Sequence, residues 1–362
     1  MLQQPELLAP AGSLETLKYA VMYGADAVYC ALPEFGMRAA PVNLTVGELH
    51  EGCIFAHARG KKVYLTLNTL PTNEELSKLP RYIQDAAEAG VDAFIIADLG
   101  VLALAKKYAP QVERHVSTQA GITNYEAAKV CYELGAKRVV LARELPLTEI
   151  AQIRDNCPQD LELEAFVHGA MCMSVSGRCL LSSYMAGRSG NRGACAQPCR
   201  MQYSMGGRMD EYPLSLRDNC LADYLQQLAD AGVACVKIEG RMKTALYVAT
   251  VARTYRKAID DYLEDPAKYQ ANMSWYQEQI AGCTYRKFTT GFFYGKPSEE
   301  AQIYDNNTYE KGYTYLGFAE AVDERGYAQI TQRNKFSVGE TIEIMKPDGQ
   351  NVAVTVKGIY DE

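Results

Sequence analysis

AGVDAFIIA, residues 89–97, is one of four versions of a single phrase, beside YGADAVYCA (23–31), LGAKRVVLA (134–142) and AGVACVKIE (231–239). Each version runs from a helix end through a glycine and two or three small or polar residues into an apolar, β-rich run. Glycine suits a helix C-terminus because it enters positive φ without a Cβ penalty. The apolar runs scarcely alternate, as expected of parallel strands covered on both faces. ELLAP (6–10), KVYLTLN (62–68), RHVST (114–118) and LELEAFV (161–167) fill the gaps and bring the strands to eight. Amphipathic stretches such as SLETLKYAVMYG, EELSKLPRYIQDAAEAG and NYEAAKVCYELG lie between them. Eight βα units predict an α/β fold, a TIM-type (β/α)8 barrel; the competing arrangement is an open doubly wound sheet.

In such a barrel the chemistry collects at the C-terminal strand ends. Those ends carry Asn68, Asp98, Thr118, Gln119, Arg143, Glu144, His168, Glu239 and Arg241. A single polar residue there is more often a cap or a loop hydrogen-bonder than a catalyst. Between Val167 and Ala234 lie 66 residues, against ~2–6 in an ordinary βα loop. A long insertion, about 168–233, therefore follows the seventh strand and covers the catalytic face. Barrel and insertion are expected over 1–270, where MKTALYVATVARTYRKAIDDYLED (242–265) predicts a long amphipathic helix. A polar, tyrosine-containing linker region follows over 271–312. YTYLGFAEAV, GYAQITQ, ETIEIMK and NVAVTVKGI then predict a small antiparallel β domain over 313–362. The tail stops at IYDE, close to its last strand, so this domain is expected to lack its final pieces.

Composition narrows the setting. The chain is 48% hydrophobic and 22% charged, the balance of a globular protein rather than a disordered one. Its start lacks a basic stretch followed by an apolar one, and no apolar run approaches the ~18 residues of a membrane span. A cytoplasmic protein without membrane attachment is the expectation. Net charge is −7, so a nucleic-acid partner would have to be held by a local basic patch.

Eleven cysteines then need a reason. Seven are scattered, several inside apolar stretches, and read as small buried hydrophobes. The other four, Cys172, Cys179, Cys195 and Cys199, crowd into CMSVSGRCLLSSYMAGRSGNRGACAQPCR (172–200) with spacing C-x6-C-x15-C-x3-C. Reduced cytosolic thiols disfavour disulfides. The paired C-x2-C hooks of zinc ribbons are absent. Four clustered thiols favour an iron–sulfur cluster or a metal; structural zinc, free thiols and a redox pair stay open. Arg178, Arg188, Arg192 and Arg200 share the segment, Arg208 follows it, and no Asp or Glu occurs from 165 to 209. Guanidinium groups there would offset the charge of a thiolate-held cluster or grip an anionic substrate. A solvated basic loop is the plainer alternative.

Hydrolytic machinery is hard to find. HExxH, G-x-S-x-G, Walker A and G-x-G-x-x-G patterns are all absent. His168 with Cys172 or Cys179 is the one close pairing for covalent catalysis, and no third residue marks itself as orienting the base. Glu164 is expected to face the barrel lumen. Glu239 is expected to orient Arg241 or to move a proton. The catalytic candidates are therefore Glu164, His168 and Glu239. Arg143, Arg178 and Arg241 are the candidates for carboxylate or phosphate contacts, each equally readable as an ordinary salt-bridging arginine.

The stretch EAFVHGAMCMSVSGRCLLS satisfies the pattern Glu-x-Phe-x-x-Gly-small-apolar-Cys-x4-Gly-x-Cys-x-apolar-Ser through Glu164, Phe166, Gly169, Ala170, Met171, Cys172, Gly177, Cys179, Leu181 and Ser182. With PELLAPAGS, NRGACAQPCR, KIEGR and the tail's NKFSVGETIEIM, it makes the chain resemble the collagenase-like peptidase family, peptidase U32. The resemblance spans most of the chain. Its better-understood members hydroxylate RNA or quinones and carry a 4Fe–4S cluster. The layout is most similar to the branch that hydroxylates the wobble uridine of tRNA with prephenate as co-substrate. The resemblance thus implies a 4Fe–4S cluster on Cys172, Cys179, Cys195 and Cys199, easily lost in air and replaceable by zinc. Relatives differ in the fourth ligand, and Cys235 is the first substitute to consider. The implied partners are tRNA and prephenate or a similar small carboxylate, with a partner subunit left open. Two alternatives stand beside this reading: a collagenase-like peptidase, as the family name implies, and a zinc-bearing RNA-binding module.

Overall fold

The computed structural model describes residues 4–36, 43–306 and 309–360. Eight strands form its centre: β1 (Glu6–Pro10), β2 (Ala27–Cys30), β3 (Lys62–Leu67), β4 (Ala93–Ile96), β5 (Glu113–Val116), β6 (Arg138–Val140), β7 (Glu162–Ala170) and β8 (Val233–Ile238). All neighbours are parallel, and β8 pairs with both β7 and β1. The sheet closes, which excludes the doubly wound alternative. The helices outside it are α1 (Leu14–Met22), α2 (Val46–His57), α3 (Leu79–Glu88), α4 (Leu99–Tyr108), α5 (Tyr125–Glu133), α6 (Leu147–Asn156), α7 (Leu225–Asp230) and α8 (Ala245–Glu264).

The repeated phrase has a mechanical meaning. Its glycines, Gly24, Gly90, Gly135 and Gly232, adopt φ of +102°, +98°, +96° and +76°. These turns end the helices and aim the chain back into the sheet. The aspartates of the first two versions, Asp26 and Asp92, accept the backbone N–H groups of Leu7 at 3.0 Å and Val63 at 2.7 Å. Each ties the start of its strand to a neighbouring strand.

Leu7, Val28, Val63, Phe94, Val139, Leu163 and Val236 point outward and pack against the helices. The lumen holds a smaller apolar group, Leu8, Ala27, Tyr29, Tyr64, Ala93, Ile95 and Cys235. Its floor, at the N-terminal strand ends, is charged. Arg138 reaches Glu6 and Glu162 at 2.7 Å and Glu164 at 3.3 Å, Lys237 reaches Glu164 at 2.7 Å, and the Tyr64 hydroxyl donates to Glu6 at 2.8 Å.

The insertion runs from Met171 to Gly232 and adds a short strand, Asp218–Cys220, antiparallel to β7 and parallel to Phe288–Thr289. The stretch expected as a polar linker begins against α8. Helices Pro266–Ala271 and Met273–Ala281 bury Tyr269 and Tyr276, and the Tyr276 hydroxyl donates to Asp261 at 2.6 Å. The tail is two antiparallel hairpins, Gly317–Val322 with Ala328–Gln332 and Thr341–Ile344 with Val352–Thr355. Tyr23 and Arg253 anchor it through the carbonyls of Met345 at 2.9 Å and Lys346 at 2.8 Å. Among the described residues no helix is long and apolar enough to cross a membrane.

Candidate functional site at the barrel mouth

The insertion lacks a regular core, so its position rests on polar pins to the C-terminal strand ends. Glu144, after β6, accepts from the Ser176 backbone N–H at 2.5 Å and its hydroxyl at 2.8 Å. Ser176 holds a φ of +46°, a strained value for a residue with a Cβ, and the carboxylate secures it there. The Arg178 Nε donates to the Gln119 carbonyl at 2.5 Å, after β5. Arg192 donates to the Leu70 carbonyl at 2.9 Å and pairs with Glu75, beyond β3. Arg200, buried, donates to the carbonyls of Met171 at 3.1 Å and Leu216 at 2.5 Å. The segment is thereby spread across the mouth. The side chain of Arg208 lies outside the described residues.

Those pins gather the four cysteines. Cys172 is exposed and Cys179, Cys195 and Cys199 are partly so. The Cys199 thiol is pushed up mainly by burial; Arg200 opposes this, while Cys172, Cys195 and Cys179 all lie near enough to act as like charges. Backbone donors two residues along the chain meet two of the sulfurs, and a hydroxyl lies against a third. Leu181 N–H points at Cys179 Sγ at 3.4 Å, Gln197 N–H at Cys195 Sγ at 3.3 Å, and Ser174 Oγ lies 3.0 Å from Cys172 Sγ. Donors aimed at sulfur stabilise thiolates and tune a cluster held by them.

The spacing of the sulfurs is also informative. Among the described residues no group of three or more His, Cys, Asp or Glu side chains closes in as the ligands of one ion must. Four sulfurs at ~2.3 Å from one zinc stand only about 3.8 Å apart. An iron–sulfur cluster gives each thiolate its own iron and so accepts a wider quartet. Four thiolates are a donor set that either a 4Fe–4S cluster or a zinc ion takes.

Cys235 takes no part. It is fully buried in β8, its Sγ 3.6 Å from Glu6 on the barrel floor, so its substitution for Cys199 as a ligand is corrected. The other scattered cysteines are inert; burial raises the Cys30 and Cys53 thiols to about 12 and those of Cys220 and Cys283 to about 11.

The remaining candidates separate by depth. Arg143 and Glu239 meet at the mouth, Nη2 to Oε2 at 2.9 Å, with the guanidinium 3.8 Å from the Phe166 ring centroid and bonded to the Ala170 carbonyl. Glu239 therefore orients Arg143. Arg241 is buried and donates to Thr66 at 3.1 Å. Arg178 is exposed. Glu164 faces the lumen as expected, but below Phe166 and at 0% exposure. Burial pushes its carboxyl up; Lys237, Arg138 and His115 outweigh this and hold it below the usual range. It is an ion-paired anion of the floor, between Arg138 and Lys237.

His168 turns away from the mouth. Its ring is enclosed by Tyr247, Tyr255 and Phe288, and burial, with Lys243 adding, lowers it to about 3. It is neutral and makes no pair with Cys172, whose sulfur meets Ser174 instead. A cavity of about 30 Å³ beside Arg143 and Phe166, bounded also by Asn219 and Phe293, has room for one water. Asn219 Oδ1 is buried there without a hydrogen-bond partner. Sequence reasoning passed over Asn219 and Ser176, which no local pattern marks.

Comparison with known proteins identifies the family. The pattern of peptidase family U32 matches residues 12–303, and that of the U32 C-terminal domain matches residues 311–362. The tRNA hydroxylation protein P1 of Bacillus subtilis (strain 168) is 38% identical, over 99% of this chain and 88% of its own length. The 23S rRNA 5-hydroxycytidine C2501 synthase of Escherichia coli (strain K12) is 41% identical over 72% of this chain and 40% of its own. The Collagenase of Porphyromonas gingivalis (strain ATCC BAA-308 / W83) is 34% identical over 90% of this chain and 84% of its own.

Proposed function

The chain belongs to peptidase family U32, and from that membership we propose that it is an RNA-hydroxylating enzyme whose substrate is the wobble uridine of tRNA, with prephenate as co-substrate and a 4Fe–4S cluster as cofactor. One observation carries the reading: four cysteines gathered above a barrel mouth, two of them with backbone N–H groups aimed at their sulfurs. Cys172, Cys179, Cys195 and Cys199 would hold the cluster, which would supply electron transfer or hold a reactive group. Arg178 and Arg188 offer an exposed basic rim to the RNA backbone. Chemistry on a base requires it unstacked, and an anticodon loop presents such bases. Arg143, held by Glu239 and stacked on Phe166, is the mouth's preorganised cation.

Peptide hydrolysis finds less support. His168 is walled in by aromatic rings, and no nucleophile–base pair stands at the mouth among the described residues. The test is direct. Anaerobically purified protein is expected to be brown, with iron and sulfide in near-equal amounts, and tRNA from a deletion strain to lack the hydroxylated wobble uridine. Colourless protein after anaerobic reconstitution, or an unchanged nucleoside profile, overturns the proposal.

A further inference from the structure

The short helix Leu181–Ala186 lies in the insertion between Cys179 and Cys195. Contacts beside three of the cysteines fix its inner side. The Leu181 N–H points at Cys179 Sγ at 3.4 Å. The Ser182 hydroxyl, fully buried, accepts the backbone N–H of Ala196 at 2.9 Å, one residue past Cys195. The Tyr203 hydroxyl donates to the carbonyl of Pro198, one residue before Cys199, at 2.9 Å and lies 3.4 Å from Met185 Sδ. The helix is thus held against the segment that carries the sulfurs.

Its other side is apolar and open. Tyr184 is 86% exposed and Leu180 62%, Met185 is half-exposed, and Leu181 is exposed as well. Residues four apart share a helix face, so Leu180 with Tyr184 and Leu181 with Met185 form two adjacent rows. A surface helix ordinarily buries its apolar stripe and shows its polar side to water. Here Ser182 turns inward and the large apolar side chains turn outward. Positive charge brackets them. Arg178 precedes the group and Arg188 follows it, both exposed, in a stretch without Asp or Glu from 165 to 209. An occupant of this face has to offer a flat apolar surface and carry negative charge, as a nucleotide with its base unstacked does. A protein partner is the poorer match. A stable protein interface takes about 800 Å² from each side, more than four side chains present, whereas a base needs one ring.

We infer that Tyr184 is a stacking platform for an unpaired base of the RNA, with Leu180 and Met185 flanking the ring and Arg188 placed for a neighbouring phosphate. The inference rests on the RNA reading given above and names the residue that meets a base. Every base has a π face, so the contact adds affinity for unpaired RNA without choosing a sequence. In a duplex the base faces are stacked on one another, and the platform has nothing to receive.

Fluorescence anisotropy of the anaerobically reconstituted protein with a synthetic anticodon stem-loop, and with a fully paired RNA duplex of the same length, tests this. Tyr184→Ala is expected to weaken stem-loop binding roughly five- to a hundredfold. Duplex binding, the salt slope and the visible absorbance should stay as in the wild type, because stacking neutralises no phosphate. Tyr184→Phe keeps the ring and is expected to bind as the wild type does. Wild-type protein that binds the stem-loop while Tyr184→Ala binds it equally overturns the inference alone. Equal weakening in Tyr184→Phe and Tyr184→Ala also overturns it, by assigning the contact to the hydroxyl. Equal weakening toward stem-loop and duplex overturns it by removing the base from the contact. Unaltered stem-loop binding by a Tyr184→Ala protein that elutes at a smaller size than the wild type assigns the face to a second copy of the chain and overturns it too. Wild-type protein that binds no stem-loop overturns the inference and the RNA reading together.

Discussion

Gly169 lies where β7 passes the segment after β8, and its φ is +106°. A Cβ there would stand 2.6 Å from the Glu239 carbonyl oxygen; at Gly12 the corresponding gap to the Arg241 carbonyl is 2.3 Å. The end of β7 and the loop after β1 thus press against the segment that carries Arg143's partner, and only glycine permits it. Gly169→Ala is expected to cost ~2–4 kcal/mol, seen as a lower urea midpoint; an unshifted midpoint contradicts this account. One residue earlier, parity explains a misreading. Glu164 and Phe166 face the lumen, and strict alternation would send His168 there too. The pairing of β7 with β8 shifts register between Lys237 and Ile238, opposite His168, and the ring emerges against α8. Its low folded value sets a pH dependence. The unfolded chain takes up the proton near 6.5 and the folded one only near 3, so this contribution is complete above 6.5 and lost as pH falls. By pH 5 the loss is about 2 kcal/mol. His115, lowered by burial, acts in the same direction. His168→Phe should lose less stability than wild type between pH 7 and 5 in denaturant titrations; equal losses refute the assignment.

The barrel elements were readable because each repeat declares itself locally, through a glycine turn, an apolar run and an amphipathic stretch. The insertion and the segment after α8 obey other rules. Tyr269 and Tyr276 register as polar in composition, yet their hydroxyls find the Ala222 carbonyl and Asp261, and the rings become core. The insertion is built from short turns whose pins join residues far apart in sequence, as Arg192 joins Glu75, and no window of sequence contains both ends. The cysteines stood out by spacing; what positions them did not. Glu144 makes that positioning testable. Removing a charged acceptor that takes two bonds costs roughly 1.5–3 kcal/mol each at most, and here the loss falls on the insertion. In Glu144→Ala, amide hydrogens near Ser176 should exchange about ten- to a hundredfold faster, while those of β3 stay as they are. Uniform acceleration across the barrel would show that Glu144 supports the fold as a whole and not the insertion.

Charge decides how the whole molecule can meet RNA. With a net charge of −7 the chain repels a polyanion at long range, and at physiological salt such fields fade over ~8 Å. Contact must therefore come from a patch, and the stretch from 165 to 209, free of carboxylates, supplies one over the mouth. Its arginines are not equivalent. Arg200 is buried and holds carbonyls, and Arg192 is spent on Glu75 and Leu70. Arg188 is exposed and gives only Nε to the Ala194 carbonyl, at 2.9 Å, which leaves its two terminal nitrogens to the solvent face. A phosphate contact by such a residue adds affinity without sequence preference and about one unit to the salt slope. Arg188→Gln is accordingly expected to weaken tRNA binding several-fold at low salt and to reduce the slope of log affinity against log salt by about one. The protein's visible absorbance should be unaffected, because the Arg188 side chain bonds the Ala194 carbonyl and no cysteine sulfur. An unchanged slope would remove Arg188 from the RNA surface. A changed absorbance would show instead that the outer face of the insertion and the sulfur quartet move together.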